Sequence, residues 1–323
     1  MPLAAALLLS FALAARPVAV HPGPSVRLDA SAARYAIAYV ETGDPAKLQA
    51  LAATPALTHL LTHARFAERA DVPRGSTREL ALRLVTPREV LAARLPEARK
   101  VLDEFEGPLR RDLVWRDALR AAVPRDADVE IHLHLIFSDT LVGTASPGDA
   151  SVDAGHPWLE AHPGALRYVA LAECHEVVFL AYNPPRPLEA RGTAADLLAE
   201  AEFHLALEGL ATWTALGLRE REKALDDEDY RALSDDAAMR RLEARYLEVH
   251  AELARRAERG GLADAATKEL LRGLHEERLF ARLGARAARH IERVEGRATV
   301  VKLVKAGPRA FFESWMRVRG GAR

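Results

Sequence analysis

Apolar and polar positions in the first part of the chain repeat with the period of a helix. Between residues 28 and 123, apolar side chains recur every three or four positions, and Gly or Pro separates the segments. This pattern is typical of amphipathic helices that bury one face. It predicts helices at residues 28–40, 45–53, 55–69, 76–84, 87–105 and 108–123. Residues 16–123 are therefore interpreted as a helical N-terminal part.

The period changes to two at residues 129–137, where apolar residues alternate with Glu130, His132 and His134. Such alternation predicts a half-buried strand, which we expect at the edge of a small sheet. His132 and His134 share one face of that strand, where they could chelate a metal or simply face solvent. Residues 140–164 are rich in Gly, Pro, Asp and Ser, which predicts a loop with a short strand near Val152.

Residues 168–182 form the most apolar segment after the strand and end at the Asn-Pro-Pro of residues 183–185. The segment has the length of a buried helix, yet it contains Glu173, His175 and Glu176. Ionisable groups in apolar surroundings are costly unless they are paired, hydrogen-bonded or bound to a metal. These three residues therefore require a chemical explanation.

A second helix is predicted at residues 193–216, because Thr193 and Asp196 have the spacing of a capping box. His204 and Glu208 lie four residues apart on it and so share a face. The charged pattern at 227–293 predicts further helix, interrupted at Gly260-Gly261. Two short helices divided by Gly307-Pro308 are expected to end the chain.

The sequence HEVVF at residues 175–179 differs by one residue from the zinc-protease motif H-E-x-x-H. In that motif two histidines one helical turn apart bind Zn²⁺, and the glutamate acts as the general base. Phe179 occupies the position of the second histidine and cannot bind a metal. If this single difference removed a metal site, Phe179→His should restore it.

The order of elements resembles that of gluzincin metallopeptidases: a strand, a helix carrying His-Glu, then a second helix carrying Glu208 within EGLA. The chain also resembles a family of zinc-dependent peptidases of unknown function with an LD-x-S-x-A segment, here residues 28–33. The corresponding closing segment begins at Gly296-Arg297 and continues through Pro308 to Phe311. The resemblance implies an α+β, mostly α, zincin-like fold with a small sheet and an active-site helix pair. Residues 124–323 would form this zincin-like part, continuous with residues 16–123.

The same resemblance implies that His175 and Glu208 are zinc ligands and that Glu176 is the general base. A catalytic zinc site needs three protein ligands, so one is missing. His204 could complete the set with His175 and Glu208. Alternatively, His132 or His134 could approach from the strand, or the metal could have been lost from the fold.

Composition limits the possible partners and location. Basic and acidic residues number 45 and 46, so the net charge of −1 gives no reason to expect nucleic acid as a partner. Residues 1–15 form an apolar run ending near Ala12-Leu13-Ala14, which predicts a signal peptide too short to span a membrane stably. We therefore expect a secreted or periplasmic protein. Cys174 is the only cysteine, which excludes an intrachain disulfide.

Two functions are compatible with these patterns. One is a zinc-dependent peptidase that acts on peptide or protein substrates, with residues 129–137 aligning an extended substrate. The other is a catalytically inactive pseudopeptidase that serves as a binding or scaffold module. Phe179 favours the second function, whereas the combined presence of His175, Glu176 and Glu208 favours the first.

Overall fold

The computed structural model describes residues 23–66, 75–138, 143–186 and 191–320. The described chain is mostly helical and contains one four-stranded mixed sheet. The predicted α+β class with predominant helix is therefore confirmed. The predicted signal peptide at residues 1–15 lies outside the described residues.

The four strands belong to a single sheet with the order β1-β2-β4-β3. They are β1 (Ser25–Asp29), β2 (Glu130–Ile136), β3 (Gly143–Ser146) and β4 (Asp149–Asp153). β2 runs parallel to both β1 and β4, and β3 pairs antiparallel with β4. The prediction that residues 129–137 form the edge is wrong, because β2 has a partner on each side. The short strand predicted near Val152 is confirmed as β4. Two strands were missed: β1, which is short and precedes a helical pattern, and β3, which lies in the Gly-rich segment predicted as a loop.

Eight helices lie between β1 and β2 in the described chain. They are α1 (Ser31–Thr42), α2 (Pro45–Ala52), α3 (Pro55–Phe66), α4 (Thr77–Leu84), α5 (Arg88–Ala92), α6 (Leu95–Glu106), α7 (Pro108–Arg111) and α8 (Val114–Ala122). Nine follow the sheet: α9 (Pro157–Ala161), α10 (Leu166–Tyr182), α11 (Ala194–Glu222), α12 (Glu228–Ala232), α13 (Asp236–Glu258), α14 (Ala265–Glu276), α15 (Leu279–Glu295), α16 (Arg297–Ala306) and α17 (Pro308–Gly320). The predicted capping box of Thr193 and Asp196 opens α11. Within the described residues, no helix combines the length and apolar character needed to span a membrane.

The sheet has one apolar and one polar face because side chains alternate along each strand. Leu133 is paired with Ala150, which is paired with Ala145, and all three are buried on the face that α10 covers. The next row of paired residues has its side chains on the other face, where His134 lies opposite polar residues of the two adjacent strands. α3 packs against this polar face and contributes His59, whose ring nitrogens contact β3 hydroxyl groups.

α10 packs against α11, as the sequence predicts, and α11 packs most extensively against α15. The second contact depends on Gly209 and Gly284, whose backbones meet at the crossing of the two helices. A Cβ atom at Gly209 would lie 2.4 Å from the Cα of Gly284, so neither position accommodates a larger residue without displacing a helix. Because Glu208 immediately precedes Gly209, this close crossing brings the α14–α15 junction next to Glu208.

Candidate metal centre

Glu173 and Glu176 lie three residues apart and share one side of α10, whereas His175 points in another direction, because successive residues of a helix are rotated by about 100°. His175 is fully buried, and neither of its ring nitrogens makes a hydrogen bond. Burial lowers the pKa of His175 to about 4, with the nearby backbone carbonyl of Ala122 at the end of α8 opposing the shift. His175 is therefore a neutral imidazole in apolar surroundings.

α11 carries Glu200, His204 and Glu208 at four-residue intervals, so the three side chains form one stripe. His204 lies between the two carboxylates: its Nε2 is 3.7 Å from Glu200 Oε1, and its Nδ1 is 3.4 Å from Glu208 Oε1. These separations exceed those of ordinary hydrogen bonds. The Nδ1 atom of His204 is buried and has no hydrogen-bond partner. The contacts of His204 with the two carboxylates are therefore electrostatic, and its Nδ1 lone pair is available to a ligand when the ring is neutral.

A further histidine, which the sequence did not single out, completes the group. His275, near the end of α14, places its Nδ1 3.5 Å from Glu208 Oε1. The His204 and His275 rings meet nearly edge to face, with centroids 4.4 Å apart. Within the described residues, one ligand atom each from His204, Glu208 and His275 lies within 4.8 Å of the other two, and this group could hold a metal ion.

Two of the three separations between these ligand atoms fit a shared metal ion. With metal–ligand bonds of about 2.0–2.2 Å, two ligands of a tetrahedral zinc ion lie roughly 3.3–3.6 Å apart. Glu208 Oε1 lies 3.4 Å from His204 Nδ1 and 3.5 Å from His275 Nδ1. Two imidazole nitrogens and a carboxylate oxygen also form a ligand set that suits Zn²⁺.

The charged forms of His204 and Glu208 stabilise each other. Burial opposes ionisation of Glu208, but the neighbouring imidazoles of His204 and His275 outweigh it and hold the pKa of this carboxyl far below its ordinary value. Burial would likewise lower the pKa of His204, but Glu200 and Glu208 raise it to about 9. Without a metal, Glu208 is therefore ionised and His204 is protonated at neutral pH. A metal ion would have to displace that proton, so metal affinity should fall as the pH is lowered.

Glu173 and Glu176 are half-buried and interact electrostatically with Glu208 of this group, and Glu173 lies against Gly143 of β3. In the described part of the chain, neither carboxyl has a hydrogen bond or an ion pair. Burial and the charge of Glu208 raise the pKa of Glu173 to about 8, against the opposing charge of Arg278. Burial, followed by Glu173 and Glu208, raises the pKa of Glu176 well above its ordinary value. Both carboxyls can therefore hold a proton near neutral pH.

Arg278 is a cation that interacts electrostatically with Glu173, Glu176 and Glu208. It lies three residues after His275, between α14 and α15, and has a left-handed backbone with φ of 52°. A left-handed conformation is unfavourable for a residue with a side chain and is found mainly where the surroundings impose it. Here the Nε and Nη2 atoms of Arg278 donate to Asp229 Oδ2 at 2.9 and 2.7 Å.

Phe179 does not point towards a metal ligand. It is fully buried, and its ring lies edge-on to Phe203 of α11 with centroids 5.9 Å apart. Phe203 in turn contacts the His204 ring at a centroid distance of 5.5 Å. Phe179 thus supports the helix that carries His204 instead of supplying a ligand.

The structure brings together two of the three predicted metal ligands and changes the third. His204 and Glu208 converge, and Glu176 lies within electrostatic reach of Glu208. His175 is not among the converging ligand atoms, and His275 takes its place. His132 and His134 also lie elsewhere, on the polar face of the sheet covered by α3. No sequence motif marks His275, because it lies in a charged helical pattern. It reaches the site only because α11 and α15 cross closely.

Comparison with protein-family models, curated proteins and solved structures gives no match to the chain. The geometry of the site is therefore the basis for any functional conclusion.

Proposed function

We propose that the protein is a zinc-dependent hydrolase of peptide bonds whose metal ligands are His204, Glu208 and His275. The convergence of these three side chains beside two unpaired carboxyls is the observation that carries the proposal. Three protein ligands, two histidines and a glutamate, are the number typical of catalytic zinc sites, which keep one position open. A sheet followed by two packed helices is also the order of elements in gluzincins, although here the ligands come from α11 and α14.

In this proposal, Zn²⁺ supplies a Lewis acid that polarises the substrate carbonyl and favours ionisation of water. Glu176 accepts the proton from the attacking water and passes it to the leaving amine. Burial and the neighbouring carboxyls raise the pKa of Glu176, and a cation bound beside it would oppose that rise and favour the ionised form that a base needs. The guanidinium of Arg278 offsets part of the negative charge that develops beside these carboxyls.

Substrate alignment is assigned to β3 and not to the strand that the sequence suggested. β3 pairs only with β4 in the described chain, so its other edge can bind an extended peptide. A Cβ atom at Gly143 would lie 2.4 Å from Glu173 Oε1, so β3 begins directly against the candidate centre. A peptide added along β3 would therefore pass close to Glu173 and Glu176.

Glu176→Gln tests the proposal, because it removes the base while leaving the three metal ligands in place. We expect hydrolysis of a quenched fluorescent peptide library to fall by roughly 10²–10⁴-fold, the usual contribution of a general base. Zinc content should remain at one equivalent. Glu258→Gln, an exposed position on α13, is the matched control. Activity that survives Glu176→Gln would contradict the assigned base.

A second function, a catalytically inactive binding or scaffold module, is favoured by the separation of the motif from the metal group, because the helix that carries His175 and Glu176 supplies no atom to that group. The same library distinguishes the two functions. Wild-type protein that holds one equivalent of zinc but cleaves no peptide in the library would support the inactive module.

We also propose that the protein is exported, on the basis of the apolar segment at residues 1–15. N-terminal sequencing of the protein from its native host tests this proposal directly. Mature protein that begins near residue 15 would support export, and protein that retains Met1 would contradict it.

A further inference from the structure

A cavity of about 310 Å³ lies beside the candidate metal centre. It is lined mainly by residues 183–186, the first three turns of α11 and the start of α17, and it is open on one side. Glu200 and His204 form part of its wall, so the cavity is continuous with the stripe that carries two of the metal ligands. Its volume is at the lower end of the range for small-molecule pockets, about 300–1,000 Å³, and suits a single side chain.

Much of the cavity wall is apolar. It includes Pro184, Pro185, Ala199, Phe203 and Pro308. The Phe203 ring is held between Phe179 and His204, with centroid distances of 5.9 and 5.5 Å. Because proline rings and a supported aromatic ring have few alternative conformations, this wall is formed before any ligand binds.

The charged residues around the cavity neutralise one another. Each of three arginines pairs with an acidic residue of α11: Arg186 with Asp196 at 2.8 Å, Arg191 with Glu200 at 2.5 Å, and Arg309 with Glu202 at 2.6 Å. A charged ligand group would therefore meet a largely apolar wall beside which the nearby countercharges are already engaged. Burying a charge without a partner is strongly unfavourable, so the lining disfavours charged groups.

We propose that this cavity receives an uncharged apolar side chain of the substrate, either aromatic or branched aliphatic. The proposal rests on the proposed function, because the candidate metal centre determines which part of a bound peptide lies beside the cavity. It assigns the specificity of the enzyme to Ala199 and Phe203, together with the three prolines.

Four probes test this assignment without requiring catalysis: the N-acetyl amides of phenylalanine, leucine, aspartate and lysine. Their binding to zinc-loaded protein is measured by NMR titration. Ala199→Phe fills the cavity, and Ala195→Phe places the same ring at an exposed position of the same helix. We expect the phenylalanine and leucine probes to bind at least about tenfold more tightly than the charged probes. Ala199→Phe should weaken their binding by at least about tenfold, while Ala195→Phe leaves it unchanged.

Equal affinity for charged and apolar probes, equal affinity of wild type and Ala199→Phe, or no binding of any probe would overturn the assignment. Zinc content and the circular dichroism spectrum of Ala199→Phe show whether the variant keeps its fold. Probe binding in a protein that cleaves no peptide would retain the pocket and reject the proposed function. Peptide cleavage with no preference for apolar side chains and no effect of Ala199→Phe would support the proposed function and reject the assignment of the pocket.

Discussion

Two groups of histidines in this protein differ in how completely their polar atoms are satisfied. The sheet cluster comprises His59 and His134 with the polar residues around them on the sheet. The helix cluster comprises His204, Glu208 and His275 with the neighbouring Glu173 and Glu176. Both combine imidazoles with hydroxyl or carboxyl groups, yet only the helix cluster has the properties of a functional site.

In the sheet cluster, each ring nitrogen of the two buried histidines has a partner. His59 Nδ1 lies 2.7 Å from Ser146 Oγ, and its Nε2 lies 3.0 Å from Thr144 Oγ1. His134 Nε2 lies 2.9 Å from Asp149 Oδ1, and its Nδ1 lies 3.3 Å from Asp29 Oδ2. Such a satisfied network stabilises the sheet and leaves no ligand atom available.

In the helix cluster, His204 Nδ1 is buried and has no hydrogen-bond partner. Buried polar groups are normally satisfied, so exceptions call for a reason such as an ion or a catalytic role. The comparison shows that the number of histidines does not identify a metal centre, whereas unsatisfied and converging ligand atoms do.

The largest expected effect concerns Phe179, whose replacement by histidine would add a third imidazole near the helix cluster. Because Phe179 packs against Phe203 and His175 lies outside the metal group, we expect Phe179→His to destabilise the protein by about 3 kcal/mol. Added zinc should not offset this loss. Thermal melting with and without zinc measures both effects.

Phe179→Leu serves as the control, since it retains an apolar side chain and should cost less than about 1.5 kcal/mol. If zinc raised the melting temperature of Phe179→His well beyond its effect on wild type, residues 175 and 179 would bind the metal together. The assignment of the metal to the helix cluster would then be wrong.

The second prediction tests whether the sheet cluster is structural, through its dependence on pH. Burial, together with the charges of His63 and His134, lowers the pKa of His59 to about 3. Between pH 3 and 6.5 the unfolded chain therefore binds a proton at this position that the folded protein does not. The contribution of His59 to stability is complete above pH 6.5 and is lost as the pH falls, by about 2 kcal/mol between pH 7 and 5.

Urea unfolding of wild type and His59→Gln at pH 7 and 5 measures this difference. The glutamine amide can replace part of the hydrogen bonding but does not titrate, so the variant should lose less stability on acidification. An equal loss in both proteins would show that His59 is not the source of the acid sensitivity.

The third prediction has the opposite sign and concerns Glu173 of the helix cluster. Because its pKa is raised to about 8, folded protein retains a proton at Glu173 that the unfolded chain releases above pH 4.5. Stability is therefore lost as the pH rises through this range. In metal-free protein at pH 7, Glu173→Gln should increase the free energy of unfolding by about 1–2 kcal/mol. A decrease on the same measurement would mean that Glu173 is a satisfied structural residue.

The smallest expected effect is that of Ser146→Ala in the sheet cluster. Removing this hydroxyl leaves His59 Nδ1 unsatisfied in a buried position, which should reduce stability by about 1 kcal/mol. Zinc content should not change. Ser146→Ala that is as stable as wild type would remove the basis for calling the sheet cluster structural.

Much of the helical architecture is predictable because hydrophobic periodicity and capping signals are local. The helices ending at Tyr182 and beginning after Thr193 are examples, as is the break at Gly307-Pro308. Strand order is not predictable in this way: β2 has the alternation of a strand with one buried face, but its two partners come from distant segments. The alternation alone could not distinguish a buried polar face, covered by α3, from a solvent-exposed edge.

The candidate site was only partly predictable for the same reason. His204 and Glu208 share one helix, so their spacing places them together without further information. His275 reaches them only because Gly209 and Gly284 allow α11 and α15 to approach closely. His175 was predicted as a ligand from the similarity to a motif, but motif similarity carries no information about which face of α10 meets α11.

His204, Glu208 and His275 are the proposed metal ligands, and a comparison of His275→Ala with His175→Leu tests this assignment directly. Wild type and both variants are equilibrated with zinc by dialysis at neutral pH. The zinc bound to each protein is then measured by mass spectrometry. Leucine suits the apolar surroundings of His175, so that variant should fold and retain one equivalent of zinc. His275→Ala should fold and retain little or none. Loss of zinc from His175→Leu with full retention in His275→Ala would contradict the account.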